Sequence, residues 1–233
     1  MIAAYHYLLK ERIRPQDIVV MGGSAGANLA LSFLLHSAVP CEGFEAVRGP
    51  PKGYVLQSPW WDLEMRADKV HSFKQVQHDY LDLSSMHDYA AVYMGASKVP
   101  PQQTSPLVYM ERLWQKALNF FAMRQRPPAK EDLPRKYSDT FANPVVHHRS
   151  RGLWQKALQQ SKLTILSGDD EVLHASIAQQ VDMLRDLQLP IEHHIIAGGV
   201  HESTLVDFYL GRDREERRRG VEVTAALIAR HFQ

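Results

Sequence analysis

Cys41 is the only cysteine in the 233 residues. No internal disulfide can form from it, and Cys-x-x-Cys redox or zinc spacings are excluded. A reducing, cytoplasmic setting is the simplest expectation. No stretch approaches the roughly 18 consecutive apolar residues of a membrane span. Met1 to Lys10 carries neither the cationic start nor the small-residue cleavage site of a signal peptide. A net charge of +1 gives no reason to expect nucleic acid or an anionic membrane as partner. Metal ligands in a useful pattern are also lacking, because His201-Glu202-Ser203-Thr204 has no second histidine to make H-E-x-x-H. The expectation is a chemistry of side chains alone, with no metal and no cofactor.

What is present is an alternation of short β-branched or apolar runs with helical patterns, which predicts an α/β fold around a mostly parallel sheet. Residues 2–11 have helical spacing, and Arg14-Pro15-Gln16-Asp17 ends that helix ahead of a strand at 18–22. Small and apolar residues from Ala27 to His36 predict a buried helix, and Gly53 to Ser58 a second strand closed by Pro59. Two strands joined by such a helix are most economically parallel neighbours in a right-handed crossover. Leu163–Ser167 and Ile191–Ala197 predict two more strands, with helices at Ala175–Leu187 and Arg217–Phe232. Arg212 to Arg219 mixes arginines with Asp213, Glu215 and Glu216, the pattern of a solvated helix start.

Between the second and third strands the pattern breaks. Residues 62–145 mix polar and aromatic side chains with clustered prolines, and short helical pieces are expected near Leu83–Tyr93 and Met110–Met123. A segment this long between neighbouring strands is too large for a plain crossover, so it reads as an inserted lid or cap on a core made of 1–61 and 146–233. Leu-Trp-Gln-Lys-Ala-Leu occurs twice, at 113–118 and 153–158. Two copies are too few for a solenoid, and a local duplication explains them.

The chemistry concentrates at strand ends. Val19-Val20-Met21 runs into Gly22-Gly23-Ser24-Ala25-Gly26, a G-x-S-x-G turn leading straight into a helix. That is the strand, elbow and helix order that exposes a nucleophilic serine, with Gly22 and Gly26 expected where side chains would clash. A serine needs a base, and the base needs a third group to fix its tautomer. His201 follows Gly198-Gly199-Val200 after the fourth strand and is the base candidate, while Asp169 and Asp170 follow the third strand. Periodicity does not choose between these two acids, one of which would serve as a cap or stay solvated. Asp62 is a weaker rival.

Four stretches together carry a family resemblance. Gly22 to Ala30 resembles the G-D-S-A-G-G-N-L nucleophile motif of the hormone-sensitive-lipase-like branch of the α/β-hydrolases. Ser58-Pro59-Trp60-Trp61-Asp62-Leu63 is similar to the S-P-W-x-D-L of that branch, Asp170-Glu171-Val172-Leu173 to its acid motif, and Gly199-Val200-His201 to its histidine loop. The resemblance implies an α/β-hydrolase fold and a carboxylesterase or lipase-like activity on a small-molecule ester. It implies a triad of Ser24, Asp170 and His201, with the backbone N–H of Ala25 as an oxyanion donor. Two departures stand out: Gly23 replaces the usual acidic residue, and the H-G-G-G oxyanion loop of the branch occurs nowhere in this chain. Losing one oxyanion donor costs about 10²- to 10³-fold in rate, so the triad alone would be slow. The expectation is therefore an N-terminally shortened hydrolase whose strand at 18–21 is an apolar edge, open to a second copy or a completing partner. The alternative is a non-catalytic relative that binds a small apolar ligand.

Overall fold

In the computed structural model, residues 1–64, 79–81, 83–95, 139–211 and 213–233 are described. Helix α1 (Ile2–Lys10) and a 3-10 turn at Pro15–Asp17 precede strand β1 (Val19–Gly23). Helix α2 (Ser24–Ala38) starts at the serine itself, earlier than the apolar pattern from Ala27 predicts, because small residues fill its first turn. Strand β2 (Gly53–Gln57), helix α3 (Leu83–Tyr93), helix α4 (Arg151–Leu158), strand β3 (Lys162–Gly168) and helix α5 (His174–Asp186) follow. Strand β4 (Ile191–Ile196) and helices α6 (Ser203–Leu210) and α7 (Arg214–Arg230) complete the chain. The first copy of the repeated hexapeptide and the helix expected near Met110–Met123 lie outside the described residues, whereas the second copy lies within α4. Helix α6 was not expected from the sequence, and α7 begins three residues before the predicted Arg217.

The four strands are all parallel and lie in chain order β1-β2-β3-β4. A monotonic order with right-handed crossovers sends every connecting helix to the same face of the sheet. That face carries the large core: Tyr54, Leu56, Leu163 and Ile165 pack against Leu31 and Leu34 of α2, Trp154 of α4, and Ile177 and Val181 of α5. On the opposite face, among the described residues, Val55 and Leu166 are buried beneath Leu227 of α7, with Val19 and Ile228 packed against them. There the Thr164 hydroxyl pairs with His231 Nε2 at 3.1 Å.

The long segment between β2 and β3 is tied where it leaves and returns. Trp61 Nε1 donates to the Pro144 carbonyl at 2.7 Å, and the Leu63 N–H donates to Asn143 Oδ1 at 2.9 Å. The rings of Trp61 and Trp154 lie 5.7 Å apart. Helix α3 meets α2, with Met86 and Ala90 and the following Met94 in the core and the Tyr93 hydroxyl donating to Asn28 Oδ1 at 3.0 Å. Asp62 uses its carboxylate to accept the Glu64 N–H at 3.0 Å, a turn cap within the segment.

Strand β1 is an edge of the sheet. Met21 is 50% exposed there, but Ile18, expected on the open edge, is only 9% exposed because it joins the main core. Among the described residues no helix is long and apolar enough to cross a membrane.

Candidate active site

Parallel strands put all their C-terminal ends on one side, and the candidate residues follow those ends. Ser24 begins α2 directly after β1 with φ of +50°, in the left-handed region that a non-glycine residue occupies only when its surroundings over-determine it. Its carbonyl accepts the Trp60 N–H at 3.1 Å, and Asn28 Nδ2 donates to the Trp60 carbonyl at 2.9 Å. The elbow is thereby stitched to the loop after β2. A Cβ on Gly22 would stand 2.5 Å from the Gly26 carbonyl oxygen, so the elbow closes only over a glycine at 22. The expected clash at Gly26 is not found: a Cβ there would meet nothing within 4 Å, since its own direction is outward. What the turn needs from residue 26 is its backbone, which packs under Gly22. Ala25 lies in the first turn of α2, where N–H groups have no intrahelical acceptor and the helix dipole is positive.

His201 is 2% exposed in the loop after β4. The carboxylate facing it is that of Glu171, which is 1% exposed, with Oε2 3.8 Å from His201 Nδ1. The carboxylate that the structure brings to His201 is thus one residue beyond the expected Asp170. Asp170 is half-buried and uses its N–H to bond the Gly199 carbonyl at 3.0 Å. Asp169 is exposed and caps the histidine turn, accepting the Gly198 N–H at 2.6 Å. The chain turns sharply after Gly168, so it is the third residue of the turn whose side chain is buried toward His201.

Two further residues, Ser58 and Asp79, support this pair. Ser58, with φ of +42° and 1% exposed, donates to Glu171 Oε2 at 2.5 Å and accepts the Glu202 N–H at 2.9 Å. Asp79, from the inserted segment, accepts the Val172 N–H at 2.7 Å on Oδ2 and the His201 N–H at 3.4 Å on Oδ1. The Tyr80 ring stands 5.9 Å from the His201 ring. Burial raises the Glu202 carboxyl above its ordinary range, against the opposing pull of His201.

Glu171 Oε1 and His201 Nδ1 are both buried without a hydrogen-bond partner. Buried polar atoms rarely stay orphaned, and catalytic hydrogen bonds are often long until substrate is bound. Among the described residues no hydrogen bond joins Ser24 to His201. A separate open cavity of about 470 Å³ borders α2 and is lined mainly by apolar side chains, Ile2, Leu29, Phe33, Phe44 and Phe141 among them.

Comparison with known proteins agrees with the fold. The family described as alpha/beta hydrolase fold matches residues 1–123. An esterase of Acinetobacter venetianus is 38% identical over 77 residues, 33% of this chain and 23% of that protein. The structure of an esterase/lipase from an uncultured bacterium superposes with a TM-score of 0.63 at 17% identity, covering 100% of this chain and 59% of the other. The hormone-sensitive-lipase homologue EstE7, from a metagenome library, superposes with a TM-score of 0.64 at 16% identity, covering 99% of this chain and 60% of the other. At these identities the superpositions speak for the fold. The chain spans about 59% of the length of the first of these structures.

Proposed function

The chain belongs to the alpha/beta hydrolase fold family, and on that premise we propose that it hydrolyses carboxylic esters through Ser24, His201 and Glu171. The observation that carries the proposal is the buried His201–Glu171 pair, which follows the C-terminal ends of the same parallel sheet as a serine held at φ +50°. In this reading Ser24 Oγ attacks the ester carbonyl while His201 Nε2 takes its proton. The tetrahedral oxyanion accepts the Ala25 N–H. Collapse breaks the carbon–oxygen bond to the alcohol, which leaves with the proton from His201, and an acyl-serine remains. Water, deprotonated by the same histidine, then releases the carboxylic acid and restores Ser24. Glu171 accepts a hydrogen bond from Nδ1–H as the imidazolium forms, which uses both orphaned atoms.

Hydrolysis of 4-nitrophenyl butyrate tests it. Ser24→Ala should abolish turnover, and His201→Ala should lower kcat/KM by about 10²- to 10⁴-fold, the usual worth of a general base. Glu171→Gln should cost far more than Asp170→Asn. Equal rates in the parent, Ser24→Ala and His201→Ala would remove the triad, and a larger loss for Asp170→Asn would return the acid to 170. The second reading, a binder of a small apolar ligand, has the 470 Å³ apolar cavity in its favour. It would show ligand binding unchanged in Ser24→Ala and no serine-dependent turnover.

A further inference from the structure

The glycine before the serine has its side-chain space occupied by another residue. An ideal Cβ on Gly23 would overlap Glu202 Oε1, which reaches across from the histidine loop. Glu202 is held in that place by its backbone. It is left-handed, φ 51° and ψ 38°, a conformation that non-glycine residues rarely adopt. Its N–H is fixed on Ser58 Oγ, and Ser58 in turn is fixed on Glu171 Oε2. Ser58 is left-handed as well, so two strained residues face each other across one hydrogen bond. Strain of this kind persists only where the surrounding structure imposes it, and it clusters at functional sites.

We propose that Glu202 is a positioning residue: its carboxylate, seated on Gly23, holds the histidine loop against the elbow and sets the place and charge environment of His201 relative to Ser24. The proposal rests on the hydrolase reading above. The ionisable groups that act on Glu202 are His201 and Glu171, and those that face His201 are Glu171 from the loop after β3 and Asp79 and Tyr80 from the segment between β2 and β3. Gly23 and Glu202 then form one unit, because a methyl at 23 must displace the carboxylate. A misplacement of about 1 Å can cost about 10²-fold in rate.

The test is a double-mutant cycle on Gly23→Ala and Glu202→Ala, read by kcat/KM for 4-nitrophenyl butyrate and by urea unfolding, with Glu202→Gln run in parallel. Gly23→Ala should lower kcat/KM about 10²-fold through kcat, and adding Glu202→Ala should recover part of that loss, because the collision is gone. Glu202→Gln adds no bulk and should leave the unfolding midpoint close to the parent. It should move the acidic limb of the kcat/KM profile to lower pH, since a carboxylate near His201 favours the imidazolium. Losses that simply add in the double variant, or a Glu202→Gln profile that superimposes on the parent, overturn the proposal. Should the parent show no Ser24-dependent turnover, the hydrolase reading falls by itself, and the unfolding cycle still decides the seating: coupling between 23 and 202 supports it and strict additivity refutes it. Should Gly23→Ala fail to fold, restored folding in the double variant counts for the seating and continued failure against it.

Discussion

The two faces of the sheet are built to different depths. One carries α2, α4 and α5 and a core that includes Trp61, Trp154 and the leucines of α2, while the other, among the described residues, carries Val55, Leu166 and the half-buried Val19 under one turn of α7. The cause is topological. Strand order that never reverses sends each crossover helix to the same side, and only the C-terminal helices return to the other. Helix α6 also keeps large apolar side chains in water, with Phe208 at 46%, Tyr209 at 69% and Leu210 at 76% exposed. Stability belongs chiefly to the thick face, and the candidate triad sits at the strand ends between the two.

This comparison can be broken by unequal truncations. Trp154→Ala should cost about 3–5 kcal/mol in urea unfolding, the range for a fully buried tryptophan. Trp154→Phe should cost much less, because the indole N–H has no partner to lose. Leu227→Ala on the thin face should cost about 2 kcal/mol, the low end for a buried leucine. If Leu227→Ala matches Trp154→Ala, the thin face contributes as much as the thick one and the contrast is wrong. A smaller effect comes from His193, whose Nε2 pairs with the Ser167 hydroxyl at 2.8 Å. Burial, then the charge of Arg185, lowers its pKa from 6.5 to about 4. The unfolded chain therefore binds a proton that the folded one refuses, and stability should fall as pH drops from 6.5 toward 4, with no further contribution from this group below 4. His193→Gln should flatten that part of the melting-temperature profile. The smallest effect is expected for Met21→Lys on the open edge of β1, within about 0.5 kcal/mol in stability. The same change should reduce any concentration-dependent association seen by sedimentation, since a lysine blunts an edge strand.

Much of this architecture was legible because burial and periodicity coincide in it. β-branched and apolar runs marked all four strands to within a residue or two, and the elbow stood out because Gly22 must be a glycine for the turn to close. Where burial and pattern part company the reading failed. Helix α6 was missed because its large residues face water and leave no buried stripe, and Gly26 was credited with a clash that its outward direction avoids. The carboxylate that faces His201 belongs to neither of the two aspartates weighed for the acid. Both precede the buried position, and only the course of the backbone after Gly168 turns Glu171 toward His201. Ser58 was visible as part of a motif but not as the link between Glu171 and Glu202, and Asp79 had no local signal because its partners are 93 and 122 residues away in the chain.

The ties between Trp61 and Pro144 and between Leu63 and Asn143 have a kinetic meaning. The pairs β1–β2 and β3–β4 are each closed by a short crossover, but joining β2 to β3 requires a loop of roughly a hundred residues. By loop-closure entropy that step costs about 1 kcal/mol more than closing either short crossover. Folding rates fall as contacts become less local, so the seam between β2 and β3 is the slow junction of the fold. The tryptophan pair and the Trp61–Pro144 and Leu63–Asn143 hydrogen bonds hold the two ends of that segment together, and across this junction the candidate serine meets the strand ends that bear Glu171 and His201.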